Sequence, residues 1–89
     1  MYSRVTTIKN KTGLHARPAA EFVAAAGKFS ARLFIRRTAE EERSNAKSII
    51  RLLAAGLAFG EEIELSGSGD DEQQAVDSLI ALIDSGFGE

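Results

Sequence analysis

Apolar positions along the chain change their spacing from two to three or four and back again, and each change marks an element. Tyr2 to Ile8 is rich in β-branched residues (Val5, Thr6, Thr7, Ile8) and stops at the polar loop Lys9-Asn10-Lys11-Thr12-Gly13. This predicts a strand with imperfect alternation, then a turn. Ala19, Phe22, Val23 and Ala26 then recur at three and four until Gly27, predicting an amphipathic helix of about three turns. Pro18 falls in its first turn, where the missing N–H costs nothing. Ala31 to Arg37 alternates, with Leu33 and Ile35 on one side and Arg32, Phe34 and Arg36 on the other. A strand fits, with Phe34 facing outward as its one uncomfortable position.

The charged stretch Thr38-Ala39-Glu40-Glu41-Glu42-Arg43 predicts a hairpin loop running into a short edge strand near Glu41 to Ser44, where charges discourage pairing with another chain. Ser44 and Asn45 are candidate N-caps for a short helix near Ala46 to Ala55, carrying Ile49, Ile50, Leu52 and Leu53 and closed by Gly56. Its apolar surface is wider than one buried stripe needs, which leaves part of it for a partner. Glu61 to Ser66 alternates cleanly, Ile63 and Leu65 inward and Glu62 and Glu64 outward, and ends at Gly67-Ser68-Gly69. Asp70 and Asp71 then offer a cap and a first-turn charge to a helix with Val76, Leu79, Ile80 and Ile83 on one face. The tail Ser85 to Glu89 ends that helix.

The resulting order, β-α-β-β-α-β-α, predicts an α+β fold: an open-faced β-sandwich whose four-stranded antiparallel sheet is covered on one face by three helices. There is no repeat, low-complexity tract or linker. A chain of 89 residues fits one domain spanning 1–89, burying about 60–70% of its unfolded surface. A hydrophobic fraction of 44% and a charged fraction of 27% describe an ordinary globular protein. Without an apolar run of about 18–20 residues or a signal-peptide core, the expected place is the cytoplasm, with no direct membrane insertion. The absence of cysteine and the single histidine argue against a disulfide framework or a metal site. A net charge of −2 argues against a nucleic-acid partner.

The chemistry concentrates at Gly13-Leu14-His15-Ala16-Arg17-Pro18-Ala19-Ala20, which holds the sole histidine and the sole proline. If a helix begins near Ala16, the free N–H groups of its first turn at Ala16 and Arg17 make a phosphate-binding place beside the His15 ring. The Arg17 guanidinium can hydrogen-bond two phosphoryl oxygens at once. The helix dipole disfavours imidazolium, by about 0.3–1 kcal/mol, which favours a neutral, nucleophilic ring. With no second histidine and no Ser-His-Asp order, His15 acts alone.

These residues resemble the active-site segment of the HPr family, the histidine phosphocarriers of the bacterial phosphoenolpyruvate-dependent sugar phosphotransferase system. A second segment, Asn45-Ala46-Lys47-Ser48-Ile49-Ile50, is similar to the family's regulatory serine region, and the likeness extends over essentially the whole chain. The resemblance implies a carrier rather than an enzyme, with no cofactor. Phosphate passes from phosphorylated enzyme I to Nδ1 of His15 and on to a IIA-type sugar permease component, steadied by Arg17. It also implies a docking surface of Ala16, Ala20, Ile49, Ile50, Arg51 and Leu53, a monomer, and phosphorylation of Ser48 by an HPr serine kinase/phosphorylase.

The segment Arg37 to Ser44 is about two residues longer than the family's usual hairpin, and Arg51 stands where members carry a small residue or lysine. The alternative is a paralogous HPr-like regulator, either a nitrogen-branch phosphocarrier or a partner of transcription regulators through the Ser48 face. A small ligand- or RNA-binding module is a third class, weakened by the acidic charge and the lack of a basic aromatic sheet surface.

Overall fold

The computed structural model describes residues 1–89. Its strands are β1 (Tyr2–Thr7), β2 (Arg32–Arg37), β3 (Ser44–Asn45) and β4 (Glu62–Ser68). Its helices are α1 (Ala16–Ala26), α2 (Ile49–Ala55) and α3 (Glu72–Asp84), followed by a 3₁₀ turn at Gly86–Gly88. The strands form one antiparallel sheet in the order β1-β4-β2-β3, and the helices cover one face of it. The architecture is the open-faced sandwich expected from the alternating periods.

Register explains which side chains face the helices. Ile35 lies opposite Leu65 and Leu33 opposite Gly67, and Leu33, Ile35, Ile63 and Leu65 are all buried. On the open face, Arg36 lies opposite Glu64 and donates to it from Nε at 2.9 Å. The weak alternation of β1 has a physical cause. Tyr2, Arg4 and Thr6 lie opposite Gly67, Leu65 and Ile63, so they share the inward face, yet at the sheet edge they meet polar positions of α3. Tyr2 Oη donates to Asp77 at 2.7 Å, Arg4 Nη1 donates to the same carboxylate at 3.1 Å, and Thr6 Oγ1 donates to Asp84.

The core contains Ile8 and Leu14 from the first loop, Phe22 from α1, Leu52 from α2 and Val76, Leu79, Ile80 and Ile83 from α3. Phe87 of the terminal turn belongs to it too. The tail therefore does more than end α3: Phe87, at φ 55°, is folded back into the core.

Several expected boundaries and caps shift. The edge strand is Ser44–Asn45, not Glu41 to Ser44. Arg36 Nη1 draws the carbonyls of Arg37, Thr38 and Glu40 toward itself, which takes the preceding loop out of the ladder. The uncomfortable Phe34 is covered by the Arg43 guanidinium, 3.8 Å from its ring centroid, a cation–π contact. Helix α2 starts at Ile49 rather than near Ala46, because Asn45 Oδ1 accepts from the Lys47 N–H at 2.9 Å and the Ala46 N–H donates to Leu33 O at 2.9 Å. Its N-cap is Ser48, not Ser44 or Asn45.

Strand β4 runs on to Ser68 and includes Gly67, where a Cβ would stand 3.0 Å from Leu33 Cδ2 and 3.1 Å from Val76 Cγ2. That glycine permits close approach of α3 to the sheet instead of making the turn. Asp71 occupies the N-cap position of α3 without a side-chain cap bond. Its carboxylate instead accepts from the Ser30 and Ala31 N–H groups at 2.9 and 2.8 Å, pinning the α1–β2 connection.

Candidate functional site

His15 stands at the N-cap of α1 with extended backbone and no side-chain cap bond. Its neighbours hold it there. Leu14 is fully buried and its N–H donates to Leu57 O at 2.9 Å, while Pro18 and Ala19 are buried on the helix side. Between these anchors, His15, Ala16 and Arg17 are exposed.

The loop before His15 is locked. Asn10 Nδ2 donates to Gly13 O at 2.6 Å, and the Gly13 N–H returns a bond to Asn10 O at 3.1 Å. Gly13 itself has φ +71°, and a Cβ there would be 2.6 Å from Leu57 O, so glycine is required on both counts. Ala16 also has positive φ, 49°, a sparsely populated conformation for a residue with a Cβ. The chain thus turns sharply into α1 immediately after the histidine.

The first turn of α1 has no acidic residue, and Pro18 contributes no N–H. The remaining donors at Ala16 and Arg17 form a place suited to an anion beside the exposed ring. The Arg17 guanidinium is already engaged: Nη1 donates to Glu21, and Nη2 donates to Phe87 O at 3.2 Å. Neither partner was anticipated from sequence. The i,i+4 spacing was the available signal for Glu21, whereas nothing local announces that the terminal turn comes back to α1. Beside it, Thr12 Oγ1 donates to Glu89 at 2.7 Å. That bond, further amide donors and the Arg17 charge hold the Glu89 carboxyl below its ordinary range.

Helix α2 packs beside α1 and carries the second group of expected residues. Ser48 Oγ accepts from the Arg51 N–H at 3.2 Å, so the serine is the helix cap rather than a first-turn residue. Leu52 is buried, but Ile49, Ile50 and Leu53 are 38%, 77% and 43% exposed. Arg51 and Ala20 are exposed as well. The wide apolar surface expected of this helix is therefore present, on the neighbour of the helix that bears His15. The longer acidic loop lies apart: with the end of α2, Arg36, Arg37 and Glu40–Glu42 line an open groove of about 600 Å³. No cluster of His, Cys, Asp and Glu side chains is arranged to hold a metal, and no helix is long and apolar enough to cross a membrane.

The family model described as "PTS HPr component phosphorylation site" matches residues 2–85. The phosphocarrier protein HPr of Cupriavidus necator is 40% identical over 89 residues, covering 100% of this chain and 98% of that protein. The HPr-like protein Crh of Halalkalibacterium halodurans is 42% identical over 84 residues, 94% of this chain and 98% of its own length. The crystal structure of an HPr from Thermoanaerobacter tengcongensis superposes with a TM-score of 0.94 at 46% identity, covering 100% of this chain and 98% of that one. The chain belongs to the HPr phosphocarrier family of the phosphotransferase system.

Proposed function

We propose that the chain, acting as one monomeric domain over residues 1–89, carries a phosphoryl group on Nδ1 of His15 in the cytoplasm. It takes the group from phosphorylated enzyme I and passes it to a histidine of a IIA-type sugar permease component. The observation that carries this reading is the exposed ring at the start of α1 that caps nothing, in a chain of this family. The Nδ1 lone pair attacks phosphorus while the donor's P–N bond breaks, and the donor nitrogen keeps that bonding pair. The phosphoryl group moves with its charge, toward the helix end and the Arg17 fork. Ala16, Ala20, Ile49, Ile50, Arg51 and Leu53 form the surface on which both partners dock, supported by the exposure of the apolar residues of α2.

Incubation with phosphoenolpyruvate and a cognate enzyme I should give an acid-labile, alkali-stable phosphate that disappears in His15→Ala. A label that survives that substitution would refute the assignment.

A second reading is favoured by the likeness to an HPr-like protein, Crh, as well as to HPr itself. Here the chain is a regulator, in a nitrogen branch or bound to a transcription regulator through the Ser48 face. An HPr serine kinase/phosphorylase would modify Ser48, placing negative charge among Ile49, Ile50 and Leu53. Mass spectrometry without acid, on protein from its own host, separates the readings by showing whether His15, Ser48 or both carry phosphate.

A further inference from the structure

An arginine in the first turn of a helix sits at the positive end of the dipole, where a cation is disfavoured. Arg17 occupies that place, and its only ion-pair partner is Glu21, one turn further on. The base precedes the acid, which is the weaker of the two orientations for an i,i+4 pair. Both side chains are exposed, 59% and 39%, so the pair contributes little to stability. Glu89, the other carboxylate near Arg17, is bonded to Thr12. The arrangement makes poor sense as helix stabilisation and good sense as a holding place for the guanidinium.

From these contacts we infer that Glu21 competes with the phosphoryl group on His15 for the Arg17 guanidinium. The inference rests on the phosphocarrier reading. In the unphosphorylated protein, Glu21 and the Phe87 carbonyl hold the terminal nitrogens of Arg17. A phosphoryl group held along the Nη1 edge draws that nitrogen away from Glu21, which takes it back when the group leaves. The exchange offsets part of the stabilisation that Arg17 gives the phosphohistidine, which keeps the group transferable. Glu21 is therefore a positioning residue that acts through Arg17.

The test compares wild type, Glu21→Gln, Arg17→Ala and the double variant, each charged with phosphoenolpyruvate and a cognate enzyme I. Glu21→Gln should shift the charging equilibrium toward the phosphorylated chain by about two- to fivefold, the range of an exposed ion pair. It should lengthen the half-life of the phosphohistidine by a similar factor, and Glu21→Asp should restore part of the wild-type behaviour. In the Arg17→Ala background the same substitution should change neither quantity. If wild type charges on His15 but Glu21→Gln behaves like it, or acts equally without Arg17, this inference falls and the carrier reading stands. If wild type takes no phosphate on His15, the carrier reading itself falls and the inference with it.

Discussion

The β1–α3 side and the α1–α2 side of the molecule use similar residues to opposite ends. Helix α3 buries Ala75, Val76, Leu79, Ile80 and Ile83, and its polar positions are stitched to β1. Asp77 takes bonds from Tyr2 and Arg4, Asp84 from Thr6 and Lys9, and Glu72 pairs with the amino terminus at 3.4 Å. Helix α2 buries one residue, Leu52, and leaves Ile49, Ile50 and Leu53 in water. The start of α1 leaves its histidine unbonded and its arginine in a surface pair. The docking surface proposed above requires such groups to be free, and the other side of the fold holds the structure.

His15→Ala should break the comparison most sharply on the functional side. Phosphoryl transfer should vanish while the thermal midpoint stays within about 4 °C, since an exposed side chain that makes no cap bond typically changes stability by less than ~0.5 kcal/mol. A large loss of stability would mean that the ring has a structural role that the geometry does not show. Phe22→Ala should do the reverse. Phe22 is fully buried, and truncating a buried phenylalanine costs about 3–5 kcal/mol. Denaturant unfolding should report that loss, and phosphohistidine should still form in the fraction that remains folded.

The same contrast governs what could be read in the sequence. The strands with a buried and a wet face, β2 and β4, were legible because Leu33, Ile35, Ile63 and Leu65 alternate with neighbours that are charged or polar except for Phe34. β1 was harder, since its inward Tyr2, Arg4 and Thr6 answer to Asp77 and Asp84, more than seventy positions away. The exposed apolar residues of α2 were legible as a surplus. Local hydrogen bonding decided the rest. Whether Ser44, Asn45 or Ser48 caps α2 depends on Asn45 bonding Lys47 and Ala46 bonding Leu33, and all three are good cap residues by type. The return of Phe87 to the core and to Arg17 depends on a positive φ at a non-glycine residue, which no local pattern announces.

Acid should loosen the bonds that hold α3 in place. Backbone donors, led by Ser30, hold the Asp71 carboxyl below its ordinary value of 3.8, and the Tyr2 and Arg4 donors do the same to Asp77. A folded value below the unfolded one contributes stability that is present above the unfolded value and is lost as pH falls through the folded one. Asp71→Asn keeps one acceptor where the carboxylate has two, so it should lower the melting temperature at pH 7. The gap to wild type should narrow as the pH falls below 3.8 and through the depressed folded value, as the native carboxyl takes up its proton. A gap that stays constant from pH 7 to 2 would show that the bonds to Ser30 and Ala31 do not depend on the charge.

Ser48 separates the two uses of one side chain. Ser48→Ala removes the acceptor of the Arg51 N–H and should cost about 1 kcal/mol, the usual value of an N-cap, with charging by enzyme I unaltered. Ser48→Asp supplies another good cap and should keep the fold, yet it sets a negative charge between Lys47 and the exposed Ile49 and Ile50. Charging should then slow by about tenfold, as a like charge and its desolvation oppose docking. Stability and transfer would thus respond to opposite substitutions at a single position, which is the comparison of the two sides reduced to one residue. Unchanged transfer in Ser48→Asp would remove α2 from the docking surface and leave its exposed isoleucines without a partner.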